Sequence, residues 1–254
     1  MYAVQHRATN QGKVIPFPTR KINTYDDEPA RHDAEPWKDR GDIQRILDHF
    51  YDQHLASWSK AKKQPSRKWN PRYLRNYLLI LIGCNCGLRA SDLIKLQLGH
   101  FIKPDGNYRD TINIQEQKTS GRRTIYINEA MRAGIDLYKE HHPQWRREDY
   151  IFPNGYNASY QPTDDHITRQ NLDLIIKNAT KQLEIENRNS THTLRKSFAY
   201  HALQDIGNDD RGIKVLQQIL GHTSIESTHH YLGITQDEIK DVCMTLNIGK
   251  PQHI

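Results

Sequence analysis

The chain has 254 residues, enough for one large domain or one domain with an appendage. An apolar fraction of 36% with a mean hydropathy of −0.86 leaves a core within reach but places part of the chain outside it. The longest apolar run, YLLILI at 77–82, is too short to span a bilayer, and the first twenty residues carry no apolar stretch of a secretory signal, so a membrane protein is not expected.

A net charge of +6 favours polyanionic partners, nucleic acid ahead of an acidic membrane surface, although charge of this size also serves plain solubility. The three cysteines, Cys84, Cys86 and Cys243, form neither a disulfide framework nor a zinc ribbon, which suggests a reducing, cytoplasmic setting.

In chain order, residues 1–35 are polar and proline-bearing without a sustained period and read as a flexible tail. Asp42 looks like an N-cap, because Ile43, Ile46, Leu47 and Phe50 follow at the spacing of one helical face. Residues 57–70 read as a basic loop with interleaved tryptophans, in which Lys60, Lys62, Lys63, Arg67 and Lys68 either grip phosphates or form a solvated linker. Asn70-Pro71 opens an apolar helix that Gly87 ends or kinks, and residues 88–97 read as a second, short helix. Residues 110–117 and 122–128 alternate with period two around KTSG, a β-hairpin. A helix over 129–142 stops at Pro143, and Thr163 caps a long helix to about 184. Three helices follow over 191–206, 209–220 and 224–232, with Gly207 and Gly221 at their ends, and a last amphipathic helix over about 235–246. The class is mainly α with one small antiparallel sheet.

Four separated clusters carry candidate chemistry. Arg89 follows a glycine at a helix start, with Asp92 three residues on, so the pair is either a structural ion pair or a guanidinium aimed at a phosphate. Lys118 sits where a hairpin strand meets its turn, beside Arg122 and Arg123, as an exposed cation or a proton donor reaching from a β-tip. His192 and Arg195 share one face of a helix, as a surface pair or a phosphate pocket. Finally, LGHTSIESTHHYLGI at 220–234 holds His222, His229, His230 and Tyr231. A metal site there lacks a cysteine or placed carboxylate to complete a tetrahedron, so none is expected.

In this order and spacing the residues resemble the tyrosine recombinases, the phage integrase family. The signature stands as Gly87-Leu88-Arg89, Lys118-Thr119, His192-Thr193-Leu194-Arg195 and Leu220-Gly221-His222, with Tyr231 nine residues later and Thr228 completing T-x-x-Y. The resemblance covers about residues 70–235 and implies that family's catalytic-domain fold. It implies attack by Tyr231 on a DNA phosphodiester, giving a 3′-phosphotyrosyl link and a free 5′-hydroxyl with neither metal nor ATP nor any other cofactor. Arg89 and Arg195 then clamp the phosphate, His222 adds a hydrogen bond, Lys118 protonates the leaving oxygen, and His192 serves as base or proton relay. Asp92 supports Arg89, and Lys196 is read as a further phosphate contact alongside Arg122 and Arg123.

The implied partners are double-stranded DNA, further copies of the chain in a tetramer on DNA, and an accessory bending or directionality factor. The implied organisation is a tail (1–35), a short helix and basic loop in place of a full core-binding domain (36–69), a catalytic domain (70–234) and a C-terminal helix docking on a neighbouring protomer (235–254). A type IB topoisomerase and a non-cutting DNA-binding regulator on the same fold are the alternatives.

Overall fold

The computed structural model describes residues 34–63, 69–115, 122–207 and 209–221, together with Thr228. The described elements are α1 (Arg40–Lys63), α2 (Pro71–Cys86), α3 (Ala90–Leu93), β1 (Thr111–Gln115), β2 (Arg122–Tyr126), α4 (Glu129–His141), α5 (Arg169–Gln182), α6 (Thr193–Ile206) and α7 (Asp210–Leu220). The fold is thus mainly helical with one two-stranded antiparallel sheet. Among the described residues, no helix is long and apolar enough to cross a membrane.

Helix α2 is the axis of the core. Asn70 caps it by accepting from the Arg72 amide, Pro71 stands in its first turn, and Gly87 closes it at φ +56°. Leu74 and Leu78 through Ile82 are all buried, so the helix is apolar around most of its circumference and is enclosed rather than amphipathic. It packs against α1, α4 and α6. Two of those interfaces are too close for any side chain larger than hydrogen: a Cβ on Gly134 would stand 2.8 Å from Leu81, and one on Gly83 would stand 2.6 Å from Leu194 on α6.

Several boundaries differ from the sequence expectation. Residues 57–63, read as loop, are the last turns of α1. The stripe begun by Ile43, Ile46, Leu47 and Phe50 continues through His54, Trp58 and Ala61, which pack on the core side while the lysines stay exposed. Asp42 is inside the first turn of α1, paired with Arg45 at 2.9 Å, and is not its cap. Helix α5 starts at Arg169 under Thr168, whose side chain accepts from the Asn171 amide. Thr163 instead secures a loop, where its hydroxyl accepts from Gly155 N and donates to Gly155 O. The helix expected over 88–97 is reduced to the four residues of α3, followed by a single 3-10 turn at Leu98–His100. The helix expected over 235–246 lies outside the described residues, as does that over 224–232 except for Thr228, which is helical and fully buried.

The hairpin register sets Ile112 opposite Ile125 and Ile114 opposite Arg123. Ile112, Arg123 and Ile125 are buried and Ile114 is partly so, whereas Arg122, Thr124 and Tyr126 face out. Period-two alternation therefore gives the sheet one core face, and it places Arg123 on that face.

Candidate active site

Arg195 is the centre of the arrangement. It projects from α6 with 1% of its surface exposed. Its Nη1 donates to the carbonyl of Gly87 at 2.8 Å, and its Nη2 donates to the carbonyl of Leu220 at 2.8 Å. Those carbonyls belong to the C-terminal ends of α2 and α7, which are both closed by left-handed glycines, Gly87 at φ +56° and Gly221 at φ +64°. Each helix end carries partial negative charge from its unpaired carbonyls, so two dipole ends converge on one guanidinium.

The consequence is geometric. Gly87 precedes Leu88-Arg89, and Leu220 precedes Gly221-His222. By gripping both carbonyls, Arg195 ties the Arg89 segment, the H-x-x-R helix and the entry to His222 into one place, although they are separated by 108 and 25 positions in sequence. Gly87 is required here on two counts. Its left-handed backbone is costly for an L side chain, and a Cβ would stand 2.4 Å from the ring of Phe198 on α6.

Arg89 occupies the N-cap position of α3 with an extended backbone, and its carbonyl accepts from the amides of Asp92 and Leu93, both at 2.9 Å. Arg89 is partly buried and Asp92 is 7% exposed, one turn further on. His192 is exposed at the N-cap of α6. A reciprocal turn holds it: Ser190 N donates to Thr193 Oγ1 at 3.0 Å, Thr193 N to Ser190 O at 3.0 Å, and His192 N to Ser190 Oγ at 3.2 Å.

A further cation borders this region. Cys86 is buried beneath the site, and burial pushes its thiol up to about 11, an effect opposed by the nearby positive charges of Arg123 and Arg195. Arg123 lies on the buried face of the hairpin, within electrostatic reach of Cys86, and is 7% exposed, while Lys196 is 5% exposed. Both, expected as DNA or phosphate contacts, are thus buried like Arg195 rather than standing on an open surface. Arg122, Lys60, Lys62 and Lys63 are exposed.

The three lysines end α1 near Trp58 and Trp69, with Lys62 Nζ 5.1 Å from the Trp58 ring centre. Trp69 lies two residues before α2. The lysines therefore lie toward the N-terminal end of α2, whereas Arg195 binds its C-terminal end, and 16 residues of helix span about 24 Å. Arg67, Lys68, Lys118, His222, His229, His230 and Tyr231 lie outside the described residues. Among the described residues, no three His, Cys, Asp or Glu side chains converge as metal ligands.

The phage integrase family matches residues 43–238. The chain belongs to the phage integrase family. Within it, the chain is 32% identical over 163 residues to a probable integrase/recombinase, YoeC, of Bacillus subtilis, covering 64% of this chain and 80% of YoeC. It is 31% identical over 177 residues to the tyrosine recombinase XerD of Listeria innocua, covering 68% of this chain and 54% of XerD. The chain thus spans about half the length of that relative. Among solved structures, the XerH site-specific recombinase in a post-cleavage complex with its difH substrate superposes with a TM-score of 0.56 at 18% identity, over 82% of this chain and 51% of XerH. The XerA recombinase superposes with a TM-score of 0.54 at 18% identity, over 81% of this chain and 63% of XerA. These two likenesses establish the tyrosine-recombinase fold.

Arg89, His192 and Arg195 stand out as candidates in the sequence by their order and spacing. The two backbone carbonyls that hold Arg195 do not, since a carbonyl has no residue-type signature. The only available signal was that a glycine closes each of the two helices involved. Arg122 and Arg123 read together as DNA contacts in the sequence, and strand alternation assigns one of them to each face of the hairpin.

Proposed function

We propose that this phage integrase family member is a site-specific DNA recombinase that cleaves and rejoins strands through a 3′-phosphotyrosyl intermediate on Tyr231. The reading is supported by Arg195, whose grip on Gly87 O and Leu220 O brings the Arg89 segment, the H-x-x-R helix and Leu220-Gly221 together. A guanidinium has five N–H groups. Two of those on Arg195 are held by carbonyls, so its plane is fixed before substrate arrives. Preorganised donors of this kind lower a barrier without reorganisation at the moment of reaction.

In this reaction Arg89 and Arg195 bind the non-bridging oxygens of the scissile phosphate and offset the charge of the pentacoordinate transition state, with His222 adding a hydrogen bond. The Tyr231 oxygen attacks phosphorus while His192 takes up or relays its proton. The bond to the 5′ oxygen breaks as Lys118 protonates it. One phosphodiester is exchanged for another, so the reverse attack by a 5′-hydroxyl of a partner strand completes transfer without nucleotide hydrolysis. Double-stranded DNA is the substrate. A tetramer on paired sites and an accessory bending or directionality factor belong to the same proposal.

The deciding experiment uses nicked suicide duplexes built from the sequences flanking the gene. The wild-type chain is expected to form a covalent protein–DNA adduct that is absent with Tyr231→Phe. Adduct persisting in that variant would place the nucleophile elsewhere. Adduct without joining to a partner strand, accompanied by relaxation of supercoiled plasmid, would favour topoisomerase activity. Binding without adduct would favour a regulator.

A further inference from the structure

Residues 34–39 form no helix or strand, yet residues 35–37 are bound almost continuously to the region that carries H-x-x-R. Trp37 is among the largest fully buried side chains, at 1% exposure. Its amide donates to Ser197 Oγ at 2.8 Å, and its indole N–H donates to Asn189 Oδ1 at 2.8 Å. Its carbonyl accepts from His201 Nε2 at 2.9 Å. Arg40 Nε donates to His201 Nδ1 at 3.4 Å, which leaves the proton of that neutral ring on Nε2, as the bond to Trp37 requires. The Pro36 carbonyl accepts from Asn187 Nδ2 at 3.0 Å. Glu35 closes the row: its amide donates to Arg188 O at 2.9 Å, and its carboxylate accepts from Arg188 N at 3.1 Å and Arg188 Nε at 2.8 Å.

These bonds fall on both sides of His192. Asn187, Arg188 and Asn189 lead into the Ser190–Thr193 turn, and Ser197 and His201 follow on α6. Ser197 Oγ both accepts from Trp37 N and donates to the Thr193 carbonyl at 2.8 Å, so the brace reaches the first residue of the helix through a single hydroxyl. His192 is exposed at the N-cap of α6. The backbone at 190–193 that carries it is clasped from outside by residues distant in sequence.

We propose that residues 35–37 are a brace that positions His192 for its part in strand cleavage, with Trp37 as the central positioning residue. The inference rests on the recombinase reading for the role of His192, while the brace itself is tested separately. Trp37→Phe retains a ring in the pocket and loses the indole donor to Asn189. It is expected to leave affinity for the duplex unchanged and to slow single-turnover adduct formation about tenfold, the effect of one hydrogen bond lost at a positioned group. In a His192→Gln background the same substitution is expected to cost less than about twofold, because coupled residues are non-additive. Hydrogen exchange supplies a readout independent of activity: the amides of residues 190–193 should exchange faster in Trp37→Phe, without matching acceleration in α2.

Equal cost in both backgrounds, or unchanged exchange at 190–193, would overturn the proposal and leave Trp37 a merely structural residue. Should Trp37→Phe fold poorly, Glu35→Gln weakens the same brace at Arg188 from a more accessible position and is held to the same outcomes. Absence of Tyr231-dependent adduct in the wild type would instead defeat the recombinase reading, with the exchange result still deciding the brace.

Discussion

At the scale of single residues, the arrangement at Arg195 makes a guanidinium hard to replace. Two carbonyls 2.8 Å from separate terminal nitrogens demand a planar fork, and a lysine ammonium is a point donor that cannot reach both. Arg195→Lys keeps the charge and loses the fixed plane. Cleavage by this variant is expected to fall by about 10²–10³, the usual cost of removing one preorganised transition-state donor. Leaving one buried carbonyl unpaired should also cost about 1–3 kcal/mol of stability. Single-turnover adduct formation and denaturant unfolding check the two parts separately, and a wild-type rate in Arg195→Lys would remove the fork from the mechanism. The identity of Arg195 was readable in the sequence because H-x-x-R has a fixed helical spacing. Its partners were not, since the two acceptors are main-chain atoms that any residue could have supplied.

At the scale of elements, a chain of histidines fastens α1 to the start of α2 and the end of α4. Trp69 Nε1 lies 3.3 Å from His54 Nδ1, His54 Nε2 lies 3.1 Å from His141 Nε2, and His141 Nδ1 lies 3.0 Å from Leu137 O. An indole can only donate and a carbonyl can only accept, so every proton is assigned. Trp69 donates to His54, His54 donates to His141, and His141 donates to Leu137. Each ring nitrogen of the two histidines is engaged in this arrangement, so an added proton would break the chain at one of its links. His142 lies alongside, 1% exposed and stacked on Tyr156 at a ring separation of 5.7 Å. Burial first, and then the like charge of His141, lowers His54 and His142 from 6.5 to about 4 each.

Below pH 6.5 the unfolded chain therefore binds protons that the folded one refuses, and stability falls as pH drops from 6.5 toward 4. It is fully present above that window. A shift of this size is worth on the order of 3 kcal/mol per histidine. Unfolding followed by urea should show this loss, with His54→Gln and His142→Gln variants flattening the slope. A slope between pH 6.5 and 4 that survives both substitutions would assign the acid sensitivity to other groups. The element boundaries explain why this cluster escaped the sequence. The stripe on α1 passes from aliphatic residues to His54 and Trp58, so its last turns look like a basic loop although the period of the helix is unbroken. Thr163 and Thr168 show the same difficulty at α5, because both are good caps and only the tertiary position of Gly155 commits the first to a loop.

At the scale of the whole molecule, two groups of cations among the described residues stand apart. One is the buried pair near the C-terminal end of α2, where Arg195 is held and Arg123 is within electrostatic reach of Cys86. The other is the exposed lysine end of α1, toward the N-terminal end of α2 and separated by about 24 Å of helix. Cations tied into a site act on a transition state, while exposed cations on a flexible stem act on phosphates by releasing counterions. The two sets should therefore separate kinetically. Replacing Lys60, Lys62 and Lys63 together by Ala is expected to weaken duplex binding and to reduce the slope of log affinity against log salt by about 0.9 for each phosphate that is no longer neutralised. At saturating DNA the triple variant should form the Tyr231 adduct at close to the wild-type rate, whereas Arg195→Lys should show the reverse pattern, with binding largely kept and cleavage slowed by about 10²–10³. Titrations across a salt series, paired with single-turnover cleavage, read both quantities on the same preparations. An unchanged salt slope in the triple variant would place the backbone-gripping surface elsewhere, and a reduced cleavage rate at saturation would mean that the α1 lysines act on the chemistry despite their distance from Arg195.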